Sequence, residues 1–193
     1  MVFYIVWMVL TVLVVFLINA VIGVKTGEFQ VWYAFVGSLG NFAICFALDA
    51  LIAFIIHKMP PKYFQANLKI FKVYKWERRF YEKIGIKKWK DRVPDTGELC
   101  NFKKDKLKST ELDYLHLFLV ESCYAEAIHI AMALIGILDI FIWPIKYCLN
   151  FTIPMAITNF LMNLPPILIQ RYNRPKLMKL YNFKVRSQKN SIE

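Results

Sequence analysis

Apolar positions run almost unbroken from Val2 to Val24 and again from Val31 to Ile56. Two further stretches, 117–143 and 147–170, are apolar but interrupted by polar residues. A helix of about 20 apolar residues spans a hydrocarbon core, so each stretch is long enough to cross a bilayer. The polar turn "KTGEFQ" separates the first pair and "PIKY" the second. Pro165 and Pro166 fall inside the fourth stretch and are expected to kink or end its helix. The first stretch lacks the basic flank of a secretory signal and is read as a retained helix. The pattern predicts an all-α integral membrane protein, a single domain over 1–193 with four transmembrane helices at about 2–24, 31–56, 117–143 and 147–170.

The third stretch begins "ESCYAEAIH" and so places Glu121, Glu126 and His129 within a membrane helix. A charge near the bilayer centre costs about 2.5–3.5 kcal/mol, and ionisable groups at that depth usually serve a function. At 100° per residue His129 lies about 80° and Glu126 about 140° from Glu121, all within half of the helix circumference. Glu126 and His129 are i, i+3 neighbours, close enough to interact. The fourth stretch carries Thr152, Asn159, Asn163 and Gln170 within about 20° of one line. A polar stripe on an apolar helix turns away from lipid, so the third and fourth helices are expected to face each other across a polar cavity, joined by Asp49 of the second. Interhelical hydrogen bonding is the competing explanation for Asn159, Asn163 and Asp49. No metal site is expected, because two or three ligands on one helix with no second His nearby make a poor set.

Charge fixes an orientation. The chain carries +11, and of its 25 Lys and Arg sixteen lie between Lys58 and Lys108 and seven between Arg171 and Lys189. By the positive-inside rule both segments and both termini are cytoplasmic in a multi-pass cell-membrane protein. Segment 58–116 adds eight acids and interleaved aromatics; Phe64, Leu68, Phe71 and Lys75 share one helical face. That pattern predicts an amphipathic helix in the headgroup layer. Basic–aromatic interleaving also occurs in single-stranded nucleic-acid binders, but directly after a membrane span it argues for lipids, and no nucleic-acid partner is expected. Cys45, Cys100, Cys123 and Cys148 form no CxxC pair and read as apolar filler. A hydrophobic fraction of 58% fits the same class.

Three stretches carry a resemblance: "PPKYF…IFK…WE…YEKIGIKKWKDRVPD", "ESCYAEAIH" and "QRYNRPKL". With them the chain resembles the glycosyl-4,4′-diaponeurosporenoate acyltransferases, the membrane enzymes that complete staphyloxanthin-type carotenoids. The resemblance implies transfer of a fatty acyl chain to a sugar hydroxyl of a lipid-like acceptor, such as a carotenoid glucoside or glycolipid. It implies no cofactor, an acyl donor such as acyl-CoA or a phospholipid as co-substrate, and membrane lipids as partners. The residues suit that chemistry. A hydroxyl needs a base, and imidazole titrates near neutrality; His129 is assigned as base, Glu126 as its orienting carboxylate, and Glu121 as a group that holds the acceptor sugar or protonates a leaving group. Arg171, Asn173 and Arg174 suit a donor phosphate or lipid headgroup, with plain membrane anchoring as the alternative. Trp89 and Lys90 are candidates for holding the same donor, or an interfacial aromatic with a snorkelling lysine. Against this stand two other classes, a non-catalytic lipid-binding subunit and a small lipid transporter.

Overall fold

The computed structural model describes residues 2–28, 30–93, 107, 109–138, 141 and 148–190. Asp139, Cys100 and the 144–147 turn lie outside them. Among the described residues the chain is helical, with no strand. Helix α1 spans Val2–Thr26 and α2 spans Val31–Lys58. Between them Gly27 adopts φ 67°, a left-handed conformation that glycine takes without steric cost, and its N–H returns to Gly23 O at 2.9 Å. Helix α3 covers Lys75–Lys83, α4 Ile86–Trp89, α5 Leu112–Leu138 and α6 Ile153–Asn190. Four of these, α1, α2, α5 and α6, are long and apolar enough to cross a membrane.

Two expectations are corrected. Of the kink or end expected at its prolines, helix α6 excludes the end: Pro165, Pro166 and Pro175 all lie inside it. Each proline removes one ladder hydrogen bond, but its ring holds φ near the helical value. The basic tail is therefore helical to Asn190, and a π turn at Cys148–Thr152 precedes the helix. Nor is the segment after α2 one amphipathic helix. Pro60 and Pro61 interrupt it, and 3-10 turns follow at Pro61–Tyr63 and Lys69–Phe71 before α3 begins. Phe64 and Phe71 turn inward, to a cluster with Val120, Cys123 and Tyr124; each such burial is worth about 1.5–3 kcal/mol.

Contacts divide the chain into two units. The first comprises Met1–Ile55 and His129–Leu164. Its apolar centre is Val15, Cys45, Phe151 and Met155, with Phe42 packed against them. Close approach is possible because α2 presents Gly37 to Phe151; an added Cβ would stand 2.8 Å from that ring. Asn19 donates to Asn150 O at 2.7 Å. The outward positions of α1 and α2, among them Val9, Val14, Leu17, Phe46 and Phe54, are large apolar side chains suited to lipid.

The second unit comprises Ile56–Ile128 and Pro165–Glu193. Phe64 stacks on Tyr124 with ring centroids 4.0 Å apart, and the Tyr124 hydroxyl donates to Met59 O at 2.5 Å. A second cluster joins Tyr81, Ile86 and Tyr172, with Val73, Trp89 and Leu168 against it.

Candidate active site

In the first unit Asn159 and Asn163 of the α6 stripe meet their partners. Thr152, Asn159 and Asn163 are buried there. His129 Nδ1 lies 2.8 Å from Asn163 Oδ1. Asn163 Nδ2 donates to Asn159 O at 3.0 Å and to Asn159 Oδ1 at 2.7 Å. Asn159 Nδ2 donates in turn to Met132 O at 3.0 Å and to Asp49 Oδ1 at 3.3 Å. Helices α5 and α6 come close at this level because residue 136 is glycine; a Cβ there would stand 3.0 Å from Asn159 Nδ2.

These contacts fix the amides. Asn159 O and Met132 O are backbone carbonyls and only accept, so each amide must turn its NH2 toward them. Asn163 then presents oxygen to His129. Oxygen also only accepts, so His129 Nδ1 carries the hydrogen, and in the neutral ring Nε2 carries the lone pair. Asn163 therefore engages the imidazole at Nδ1, a place for which the sequence pointed to Glu126.

Glu126 belongs to the second unit, in a cluster of charges. It is fully buried, with Arg171 Nη1 2.5 Å from Oε1 and Arg174 Nη1 2.5 Å from Oε2. Arg171 also grips Glu77 in a two-pronged contact, Nε to Oε2 at 2.7 Å and Nη2 to Oε1 at 2.9 Å. Glu77 accepts from the Tyr74 N–H at 3.0 Å, which caps α3, and from the Tyr81 hydroxyl at 2.9 Å. Arg174 donates to Phe71 O and Ser122 O, each at 3.0 Å, and stacks over the Phe71 ring. Burial alone would push the Glu77 carboxyl up, but the bonds from Arg171, Tyr74 and Tyr81 outweigh it and hold it below its ordinary value. Burial and the bond to Glu77 push the Tyr81 hydroxyl up to about 12.

This geometry revises the donor site. Arg174 is 1% exposed and its guanidinium faces protein oxygens, so it reaches no headgroup phosphate without breaking the cluster. Arg171 is mostly buried, and each of its nitrogens has a protein acceptor. Trp89 Nε1 donates to Ile84 O at 3.3 Å, its ring packed in the Tyr81 cluster, and Lys90 pairs with Asp91. Glu121 and Asn173 are half-buried on α5 and α6. Sequence reasoning did not single out Glu77 and Tyr81. Their signal was a glutamate three residues past Tyr74 at a helix start, with a tyrosine one turn later.

The family model described as glycosyl-4,4′-diaponeurosporenoate acyltransferase matches residues 67–182. The chain belongs to this family. It is an acyltransferase. The matched range holds Glu77, Glu126, His129, Asn159, Asn163, Arg171 and Arg174, while Asp49 precedes it. A glycosyl-4,4′-diaponeurosporenoate acyltransferase of Staphylococcus haemolyticus is 32% identical over 134 residues, 67% of this chain and 75% of the relative. One from Staphylococcus aureus (strain USA300) is 31% identical over 133 residues, 64% of this chain and 74% of the relative. No solved structure matches the chain.

Proposed function

We propose that this acyltransferase esterifies a sugar hydroxyl of a glycosylated, lipid-like acceptor of the kind its relatives' names give, a glycosyl-4,4′-diaponeurosporenoate, with His129 as general base. The observation that carries this reading is the His129–Asn163 contact at 2.8 Å. It orients the ring and leaves the lone pair on Nε2. Nε2 takes the hydroxyl proton as the oxygen attacks the acyl carbonyl carbon. The tetrahedral intermediate then collapses, the bond from carbon to the donor's leaving group breaks, and that proton passes to the leaving group. A thiol from acyl-CoA and an alcohol from a phospholipid both satisfy the balance. Within the second unit, Glu126 and the arginines hold Ile70, Phe71, Lys72 and Glu77 in place. The charge segregation orients the protein with both termini in the cytoplasm of a cell-membrane location.

The test is acyl transfer by His129→Ala in nanodiscs, with glycosyl-4,4′-diaponeurosporenoate as acceptor and acyl-CoA or phospholipid as donor. Loss of a general base lowers turnover by about 10²–10⁴-fold. Turnover near that of the unaltered protein would reject His129 as base.

A further inference from the structure

The hydrogen bonds of the first unit run in one direction. His129 Nδ1–H points to Asn163, Asn163 Nδ2–H to Asn159, and Asn159 Nδ2–H to the Asp49 carboxylate. Each link donates toward Asp49, and each amide's orientation is pinned by a backbone carbonyl that only accepts. Bonds aligned in this way polarise one another, and a low-dielectric surrounding strengthens them. An aspartate in the middle of α2 is also costly in a membrane helix, so its place at the end of such a chain calls for a reason.

We infer that Asp49 is a positioning residue for the reaction, the anionic end of a His129–Asn163–Asn159–Asp49 relay that holds the imidazole in its Nδ1–H form and stabilises the positive ring formed when Nε2 takes the substrate proton. No proton needs to travel along the relay. The amides keep their orientation, and the carboxylate supplies the counter-charge through them, as the buried aspartate of a catalytic triad does directly. The inference rests on His129 as base. It differs from a helix-gluing role for Asp49, which any hydrogen-bonding side chain of the same shape would fill.

The experiment uses the full chain in nanodiscs and compares Asp49→Asn with Asp49→Glu. Asp49→Asn keeps the shape and removes the charge; its kcat is expected to fall about 10- to 100-fold, the usual effect of losing a group that supports an imidazole from behind, with KM for the acceptor little changed. Asp49→Glu is expected to recover most of the lost rate. A fall in kcat of less than fivefold for Asp49→Asn, or an equal fall for Asp49→Glu, would overturn the relay. The tautomer gives a second readout. Nitrogen NMR of histidine-labelled protein, with His57 and His116 replaced by Gln to assign His129, should show Nδ1 protonated and Nε2 bare at neutral pH. A ring protonated at Nε2 would overturn the inference even if Asp49→Asn fails to fold. If His129→Ala retains turnover, the proposed base itself fails. If His129→Ala is inactive and Asp49→Asn is near normal, only the relay fails.

Discussion

The two units solve the problem of buried polarity in opposite ways. The second unit gathers full charges, Glu77, Glu126, Arg171 and Arg174, and pairs them with one another and with backbone carbonyls. The first unit uses neutral amides in a single file between a histidine and one carboxylate. Charges paired in this way leave little over for a substrate. A neutral histidine whose Nδ1 donates a hydrogen bond has its lone pair on Nε2. On the proposed reading the contrast separates scaffold from chemistry, although Glu126 and His129 stand only one helical turn apart in the sequence.

The largest effect should come from breaking the ion cluster. Arg174→Ala leaves Glu126 buried with less compensation and removes the hydrogen bonds to Phe71 O and Ser122 O. Such losses cost about 3–5 kcal/mol, which thermal unfolding in detergent should register as a large drop in Tm. A small drop would mean that the cluster contributes little to the second unit.

A smaller effect should follow from crowding the amide file. Gly136→Ala places a Cβ 3.0 Å from Asn159 Nδ2. Overpacking costs at most about 1–3 kcal/mol, but a displaced Asn159 should lower kcat by about tenfold, since small misplacements near a site are expensive. Unchanged kcat would separate Asn159 from the chemistry.

Smaller again is Tyr81→Phe. It deletes the hydroxyl bond to Glu77 at 2.9 Å while Arg171 still holds that carboxylate. The expected loss is about 1 kcal/mol of stability with turnover preserved. Reduced turnover at equal folded fraction would give the second unit a part in the reaction.

The smallest is a pH effect. The Glu77 carboxyl is held below its ordinary 4.5 in the folded protein. Its contribution to stability is therefore fully present above that value and is lost as pH falls through the lower folded-state value. Tm should fall on acidification below about pH 4.5, and Glu77→Gln should flatten that limb. An equal acid limb in the variant would place the titration on another group.

Much of the fold was legible because membrane helices are written in long apolar runs. The ends of α1 and α2 fall within two residues of the expected spans. The stripe of Thr152, Asn159, Asn163 and Gln170 was legible too, and all four are buried. Pairings across helices were not. A helical wheel gives the face of His129 but not its neighbour, and Asn163 lies 34 positions away. Glu126 shared that half of α5, yet its partner Arg171 is 45 positions away. The inward turn of Phe64 and Phe71 was hidden because 3-10 turns break the 3.6-residue period on which their shared face was inferred.

The most direct test of this division sets Asn163→Leu against Glu126→Gln, with acyl transfer measured per folded molecule in nanodiscs. Asn163→Leu removes the acceptor for His129 Nδ1 and should lower kcat about 10- to 100-fold in protein that remains folded. Glu126→Gln should lower Tm and folded yield, while the folded fraction keeps kcat within about threefold, under 1 kcal/mol of barrier. The reverse result, normal kcat in Asn163→Leu and a large loss in folded Glu126→Gln, would contradict the account and return the orienting role to the carboxylate.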